Sequence, residues 1–165
     1  MSTQLEQVLK KQQQQQKAPL ETDIENIIQL VGFMVGDEEF AVPILGIQEI
    51  IKPIEYTRVP KTPPYVLGVF NLRGSVLPLI DLRMKFGLSR SKENEDTRYM
   101  VIKHNDEIAG FVIDRLTQAM RIPESAIDPA PETIHDEQNL IYGVGKQEEK
   151  LVSILNVEAL LKRDF

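Results

Sequence analysis

The chain has no cysteine among its 165 residues, which excludes disulfides, thiolate nucleophiles and cysteine-ligated zinc and makes a reducing compartment the simplest setting. Histidine is almost as scarce, with two, so little of the usual equipment for proton transfer or metal binding is present. No apolar run approaches the ~20 residues that span a bilayer, and Met1 to Gln16 is polar where a secretory signal would be apolar. Aromatic residues number ten, six Phe and four Tyr, and 25 acidic against 19 basic residues leave a formal charge of −6. That excess would repel a phosphate backbone unless basic groups gathered on one face, so neither nucleic acid nor membrane insertion is expected. A cytoplasmic location follows as the expectation.

What is present is ordinary for a folded protein: 42% apolar and 27% charged residues, in a chain long enough to bury a core without covalent staples. Residues 1–26 stand apart. A glutamine run from Gln12 to Gln16, flanked by Lys10, Lys11 and Lys17, precedes Ala18, Pro19 and several acids. Leu5, Val8 and Leu9 share a helical spacing but offer too little apolar surface to hold a helix, so a disordered tail is expected.

From Ile27 the texture becomes short apolar runs of period two, punctuated by turn-forming residues, which predicts strands. Ile27 to Val35 leads through a turn at Gly36-Asp37-Glu38-Glu39 into Phe40 to Ile44, where Pro43 marks a strand end or an edge. Val66 to Leu72 and Val76 to Leu82 form a second pair around Gly74. Arg98 to Lys103 and Ile108 to Asp114 form a third, and Ile141 to Val144 with Leu151 to Leu155 a fourth. Helical signals are short: Leu82 to Leu88 closed by Gly87, Glu124 to Ile127 after Pro123, and a terminal helix from Val157 to Lys162 capped by Asn156. Many short strands with few helices predict a mainly β fold of barrels or a sandwich. The strand-pair theme runs twice, roughly over 27–90 and 91–155, without a strict sequence repeat.

Catalytic candidates are few. His104 falls in a predicted hairpin tip with Asn105, Asp106 and Glu107, and His135 lies in a proline-rich acidic stretch beside Asp136. A small hydrolase or transferase using either histidine with nearby acids is the rival reading, weighed against solvated surface histidines. Gly143-Val144-Gly145-Lys146 lacks the spacing and the following Ser or Thr of a phosphate loop. Asp128-Pro129-Ala130-Pro131-Glu132 is an extended connection that would not hold two carboxylates as a catalytic pair.

Two segments fit a purely structural account less well. Between Pro43 and Lys52, Ile44, Leu45, Ile47, Ile50 and Ile51 surround Gln48 and Glu49, a carboxylate in an otherwise aliphatic run, as in a protein-binding groove. In Gly68-Val69-Phe70-Asn71-Leu72-Arg73-Gly74, Asn71 and Arg73 interrupt an apolar pattern at a turn. Either they bond nearby carbonyls, or Arg73 presents its guanidinium fork to a carboxylate, Glu49 or one on a partner.

These residues resemble the CheW family of bacterial chemotaxis coupling proteins. The resemblance rests on Gly68 to Gly74 followed by Val76-Leu77-Pro78-Leu79-Ile80-Asp81-Leu82, and on Gly36 to Phe40 leading to Ile47-Gln48-Glu49-Ile50. Gly110 to Leu116 and Leu151 to Lys162 extend it over 28–163. It implies two intertwined five-stranded SH3-like β-barrels with a shared core and a short C-terminal helix, over a domain spanning 27–163. It implies no enzyme activity and no cofactor or metal. The partners it implies are the regulatory domain of the histidine kinase CheA and the cytoplasmic tips of methyl-accepting chemotaxis receptors, in arrays beneath the inner membrane where self-association is also allowed for. The partner-binding positions it implies are Ile47, Glu49, Ile50, Gly68, Asn71, Leu72 and Arg73, undivided between receptor and kinase. No phosphotransfer, ATP-binding or receiver segment flanks the module, so a free-standing coupling protein is expected. The glutamine-rich extension and Lys52-Pro53 depart from the family pattern.

Overall fold

The structure is a computed structural model and describes residues 26–90, 92–129 and 140–162. The expectations for residues 1–25, for His135 and for Ala130 to Glu132 lie outside them. In chain order the elements are β1 (Ile27–Val35), β2 (Glu38–Pro43), a 3-10 turn (Ile44–Gly46), β3 (Ile47–Ile51), β4 (Val66–Leu72), β5 (Ser75–Asp81) and α1 (Leu82–Lys85). They continue with β6 (Arg98–His104), β7 (Glu107–Ile113), β8 (Arg115–Pro123), a second 3-10 turn (Glu124–Ala126), β9 (Ile127–Pro129), β10 (Ile141–Gln147), β11 (Lys150–Leu155) and α2 (Val157–Leu161). All four expected strand pairs form, and β3, β8 and β9 lie outside them. The first turn is tighter than expected, because Gly36 at φ 64° lets Val35 pair directly with Glu38. Strand β8 was not expected at all: in Arg115–Pro123 only Met120 and Ile122 are buried, so the alternation that betrays a strand is confined to its last residues.

The strands form two antiparallel-rich sheets, ordered β8-β1-β2-β11-β10-β9 and β3-β6-β7-β5-β4. Six strands in the first, where five were expected, have a simple cause. The chain from β8 through the 3-10 turn into β9 is one kinked strand that pairs with β1 at one end of the sheet and with β10 at the other, closing a five-membered barrel. The other sheet closes likewise: β3 pairs with β6, and beyond it Thr57 exchanges two 2.8 Å backbone hydrogen bonds with Val69 on β4.

The two halves of the chain are not the two barrels. Hairpin β1-β2 lies in the barrel built by β8 to β11, and hairpin β6-β7 lies in the barrel built by β3 to β5. Each half lends its first hairpin to the other, joined through the parallel pairs β2-β11 and β5-β7. The repeat itself is closer than the sequence suggests. Residues 65–82 and 140–157 align without a gap: both hairpins carry a bulge before a glycine, at Val66/Gly68 and Ile141/Gly143. Asp81 N–H donates to the Tyr65 carbonyl at 2.8 Å as Asn156 N–H donates to that of Leu140 at 2.7 Å. Asp81 and Asn156 then cap α1 and α2 with their side chains.

Three apolar clusters follow from this interleaving. Leu30, Ala41, Met120, Ile122, Val152 and Ile154 fill one barrel, and Phe70, Leu77, Leu79, Tyr99 and Val101 fill the other. The largest lies between them, where Phe33, Phe40 and Val42 meet Met100, Ile102, Phe111 and Ile113. Each fully buried aliphatic or aromatic side chain contributes about 1.5–3 kcal/mol, so the shared core joins the two barrels into one folded unit.

Candidate partner-binding site

The aliphatic strip resolves into two sorts of residue. Ile44 and Leu45, in the first 3-10 turn, are exposed, Leu45 at 96%. Ile47 and Ile50 instead pack against the shared core. Three apart in a strand they would face opposite ways, but β3 carries a bulge between Ile47 and Glu49, and the extra residue restores Ile50 to the side of Ile47. The same bulge leaves Glu49 on the other face, beside the β4-β5 hairpin.

That hairpin turns in two residues, since Leu72 pairs with Ser75. Arg73 at φ 52° and Gly74 at φ 87° both occupy the left-handed region such a turn requires. For arginine this costs about 1–2 kcal/mol, and two contacts hold it. Asn71 Oδ1 accepts the Gly74 N–H at 2.9 Å. Arg73 reaches across the barrel opening to Glu49, with Nη1 3.1 Å from Oε1 and Nη2 3.1 Å from Oε2, a two-point fork. Of the two readings open in the sequence, Arg73 follows the carboxylate reading, with the carboxylate in its own chain, while Asn71 is a turn residue that accepts a backbone N–H where a bond to a carbonyl was expected.

The pair is unequally covered: the Arg73 side chain is 77% exposed and that of Glu49 18%. Glu49 is thus fixed at the floor of a shallow depression whose walls include Leu72, Lys103, Asp106 and Ile108, while the guanidinium presents its outer face to solvent. Leu72 is half-buried against the core of its barrel. Gly68 is buried, and its place is set by packing: a Cβ there would lie 2.1 Å from the Thr57 carbonyl oxygen. The structure therefore gathers Glu49, Asn71, Leu72 and Arg73 on one surface, sets Ile47 and Ile50 beneath it, and puts Gly68 where the barrel closes.

His104 ends β6 exposed to solvent, beside Asn105, Asp106 and Glu107 and across from Asn156 and Glu158. Among the described residues no group of three or more histidines and acids is placed to hold a metal ion, and no helix is long and apolar enough to cross a membrane. Two titrating groups are displaced from their ordinary values. Burial pushes the Asp81 carboxyl up, against two backbone N–H donors at the start of α1, and burial pushes the Tyr99 phenol up to about 12. Sequence reasoning passed over Arg83, whose guanidinium meets Asp114, because a lone arginine in a four-residue helix carries no pattern.

A family model described as a CheW-like domain matches residues 29–165. The chemotaxis protein CheW of Helicobacter pylori is 59% identical over 165 residues, the full length of both chains. That of Bacillus subtilis is 34% identical over 136 residues, 82% of this chain and 87% of that protein. Among solved structures, the scaffolding protein TtCheW from Thermoanaerobacter tengcongensis matches with a TM-score of 0.78 at 26% identity, covering 84% of this chain and 95% of that one.

Proposed function

This chain belongs to the CheW-like family, and from that premise we propose that it is a chemotaxis coupling protein that joins chemoreceptors to the histidine kinase CheA by binding both. It acts in the cytoplasm at the receptor array, as a scaffold and not as an enzyme. Residues 27–163 form the coupling domain, preceded by a separate tail. The observation that carries the reading is the Glu49-Arg73 fork, a geometrically fixed ion pair in a shallow depression beside Leu72 and Ile108.

The physics favours recognition over reaction. A guanidinium held through Nη1 and Nη2 keeps its remaining N–H donors for a partner's carboxylate or carbonyl, at little cost in rotamer freedom on binding. Leu72 supplies apolar contact beside it, and Ile47 and Ile50, anchored in the shared core, keep the strip rigid beneath. Contacts of this size give modest affinity singly, in the micromolar range of about −8 kcal/mol, and an array multiplies them by holding each partner at high effective concentration.

The test is binding of the purified chain to a receptor cytoplasmic-tip fragment and, separately, to the CheA regulatory domain. Glu49→Ala and Arg73→Ala should each weaken at least one of the two by ten-fold or more. Undiminished binding of both partners by both variants would remove this surface from the reading. Chemical-shift mapping with each partner in turn assigns the surface to one or the other.

A further inference from the structure

Asp114 sits where the chain leaves β7 in one barrel to begin β8 in the other. Its Oδ2 accepts two hydrogen bonds, from the Gly36 N–H at 2.7 Å and from Arg83 Nη1 at 2.8 Å. Gly36 is the turn of the β1-β2 hairpin, which belongs to the second barrel, and Arg83 lies in α1, which follows β5 of the first. One carboxylate oxygen therefore ties together the crossing point, the lent hairpin and the helix of the opposite barrel.

Arg83 is itself held on two further sides. Its backbone N–H donates to Asp81 Oδ1 at 3.0 Å and its Nε to the Ser89 carbonyl at 2.9 Å. The backbone of Asp114 is fixed as well, its N–H donating to Met34 on β1 at 3.0 Å. The other crossing, from β2 into β3 through Ile44–Gly46, is made differently: Gly46 packs against the Val157 side chain, and a Cβ there would lie 3.2 Å from it. One crossing is packed by an apolar side chain; the other is polar and directional. Charge-assisted bonds of this geometry define an orientation in a way that apolar contact does not.

We infer that Asp114 and Arg83 are positioning residues that set the orientation of one barrel against the other. Resting on the function proposed above, this latch fixes how the Glu49-Arg73 surface of one barrel stands relative to any partner surface on the second. The pair is about three-quarters covered, with side-chain exposures of 24% for Asp114 and 22% for Arg83, so it is shielded enough to be directional without being sealed in the core.

The absence of native cysteine allows the inference to be tested by spin-label distances in the isolated full-length chain. Glu107→Cys on β7 and Lys150→Cys on β11 report across the barrels, and Arg121→Cys with Lys150→Cys reports within one; all three positions are exposed. Asp114→Asn and Arg83→Gln should each shift or broaden the inter-barrel distance distribution while leaving the within-barrel distribution as it was. Arg83→Lys, which keeps a cation on Asp114 but loses the arm to Ser89, should fall between. A lowered melting temperature with wild-type distances in both variants would overturn the inference, since that is the mark of a merely stabilising contact. Should Asp114→Asn fail to fold, Arg83→Gln decides, because it leaves the carboxylate to accept from Gly36. No partner is present in the measurement, so its failure leaves the binding surface standing, and lost partner recognition at Glu49 leaves the latch standing.

Discussion

A Cβ placed on Gly68 would fall 2.1 Å from the carbonyl oxygen of Thr57. That oxygen accepts from the Val69 N–H in the bridge that closes the first barrel, so the chain after β3 can pair with β4 only because residue 68 has no side chain. The second barrel meets the same demand at the same place in its repeat: a Cβ on Gly143 would lie 2.6 Å from the Asp128 carbonyl oxygen. Both obstacles are backbone atoms, which cannot swing aside as a flexible side chain can.

Gly68→Ala and Gly143→Ala should therefore each destabilise the fold by about 3 kcal/mol, the upper range for forcing extra atoms into a packed site. Denaturant midpoints check this. For Gly68, any loss of partner binding should track the unfolded fraction and vanish under conditions where the variant is fully folded. A folded Gly68→Ala chain that binds poorly would return the residue to the contact surface itself.

Arg73→Ala should show the opposite separation. An ion pair with one partner this exposed contributes only about 0–1 kcal/mol to stability, and alanine keeps the Cβ that makes the left-handed φ of 52° costly, so the torsional cost is unchanged. The melting temperature should change by no more than a few degrees in either direction while partner affinity falls at least ten-fold. Glu49→Ala, measured alone and with Arg73→Ala, completes a double-mutant cycle. If the pair acts as one unit, the double variant binds no worse than the poorer single one.

Much of this surface was legible in the sequence, because a carboxylate within Ile47-Gln48-Glu49-Ile50 and an arginine before Gly74 both break an aliphatic pattern. The family resemblance then placed them in one site. Their direct pairing was one option among two, since strand spacing alone does not say which faces a bulge has exchanged. The eight strands of the four hairpins were legible for the same reason that β8 was not: they alternate, whereas Arg115 to Ala119 shows solvent on both sides. The lending of hairpins between halves left no trace, because parallel joins such as Leu79 with Gly110 and Ser153 with Phe40 link residues remote in sequence and impose no local pattern. The internal repeat showed only as a strand-pair theme, because its turn is a backbone feature that Arg73 and Glu148 satisfy with unrelated side chains at positive φ, and Phe70 stands where Gly145 does.

That repeat suggests a substitution at Asp81. The carboxylate caps α1 while buried, and burial raises its pKa above 3.8. A raised carboxylate binds its proton more tightly in the folded state, so the stability it contributes is present below pH 3.8 and is lost as pH rises through the folded value. At pH 7 it is a net liability, whereas Asn156 caps α2 at the equivalent position without charge. Asp81→Asn should keep the cap and raise the pH 7 denaturation midpoint. The gain should shrink on acidification and disappear below pH 3.8. A loss of stability at pH 7 would mean that the charge, through the Arg83 and Met84 N–H donors and the Arg90 cation, outweighs its burial.

Tyr99 supplies the alkaline counterpart. Its side chain is buried at 2% exposure, edge-on to Phe70 with ring centroids 5.8 Å apart, and its hydroxyl donates only a long 3.4 Å bond to the Ile54 carbonyl. Burial, with the nearby Glu93 carboxylate adding to it, lifts the phenol from 10.0 to about 12. Between those two values the unfolded chain sheds the proton and the folded chain does not, so stability is full below pH 10 and falls as pH climbs toward 12, by about 2–3 kcal/mol in all. In an ultraviolet titration of the folded protein, Tyr99 should ionise at about pH 12. Tyr99→Phe gives up only the weak bond to Ile54 and has no proton to lose. It should match the wild type closely at pH 7 and unfold at a higher alkaline pH, and equal alkaline midpoints for the two would show that the phenol titrates where an exposed one does.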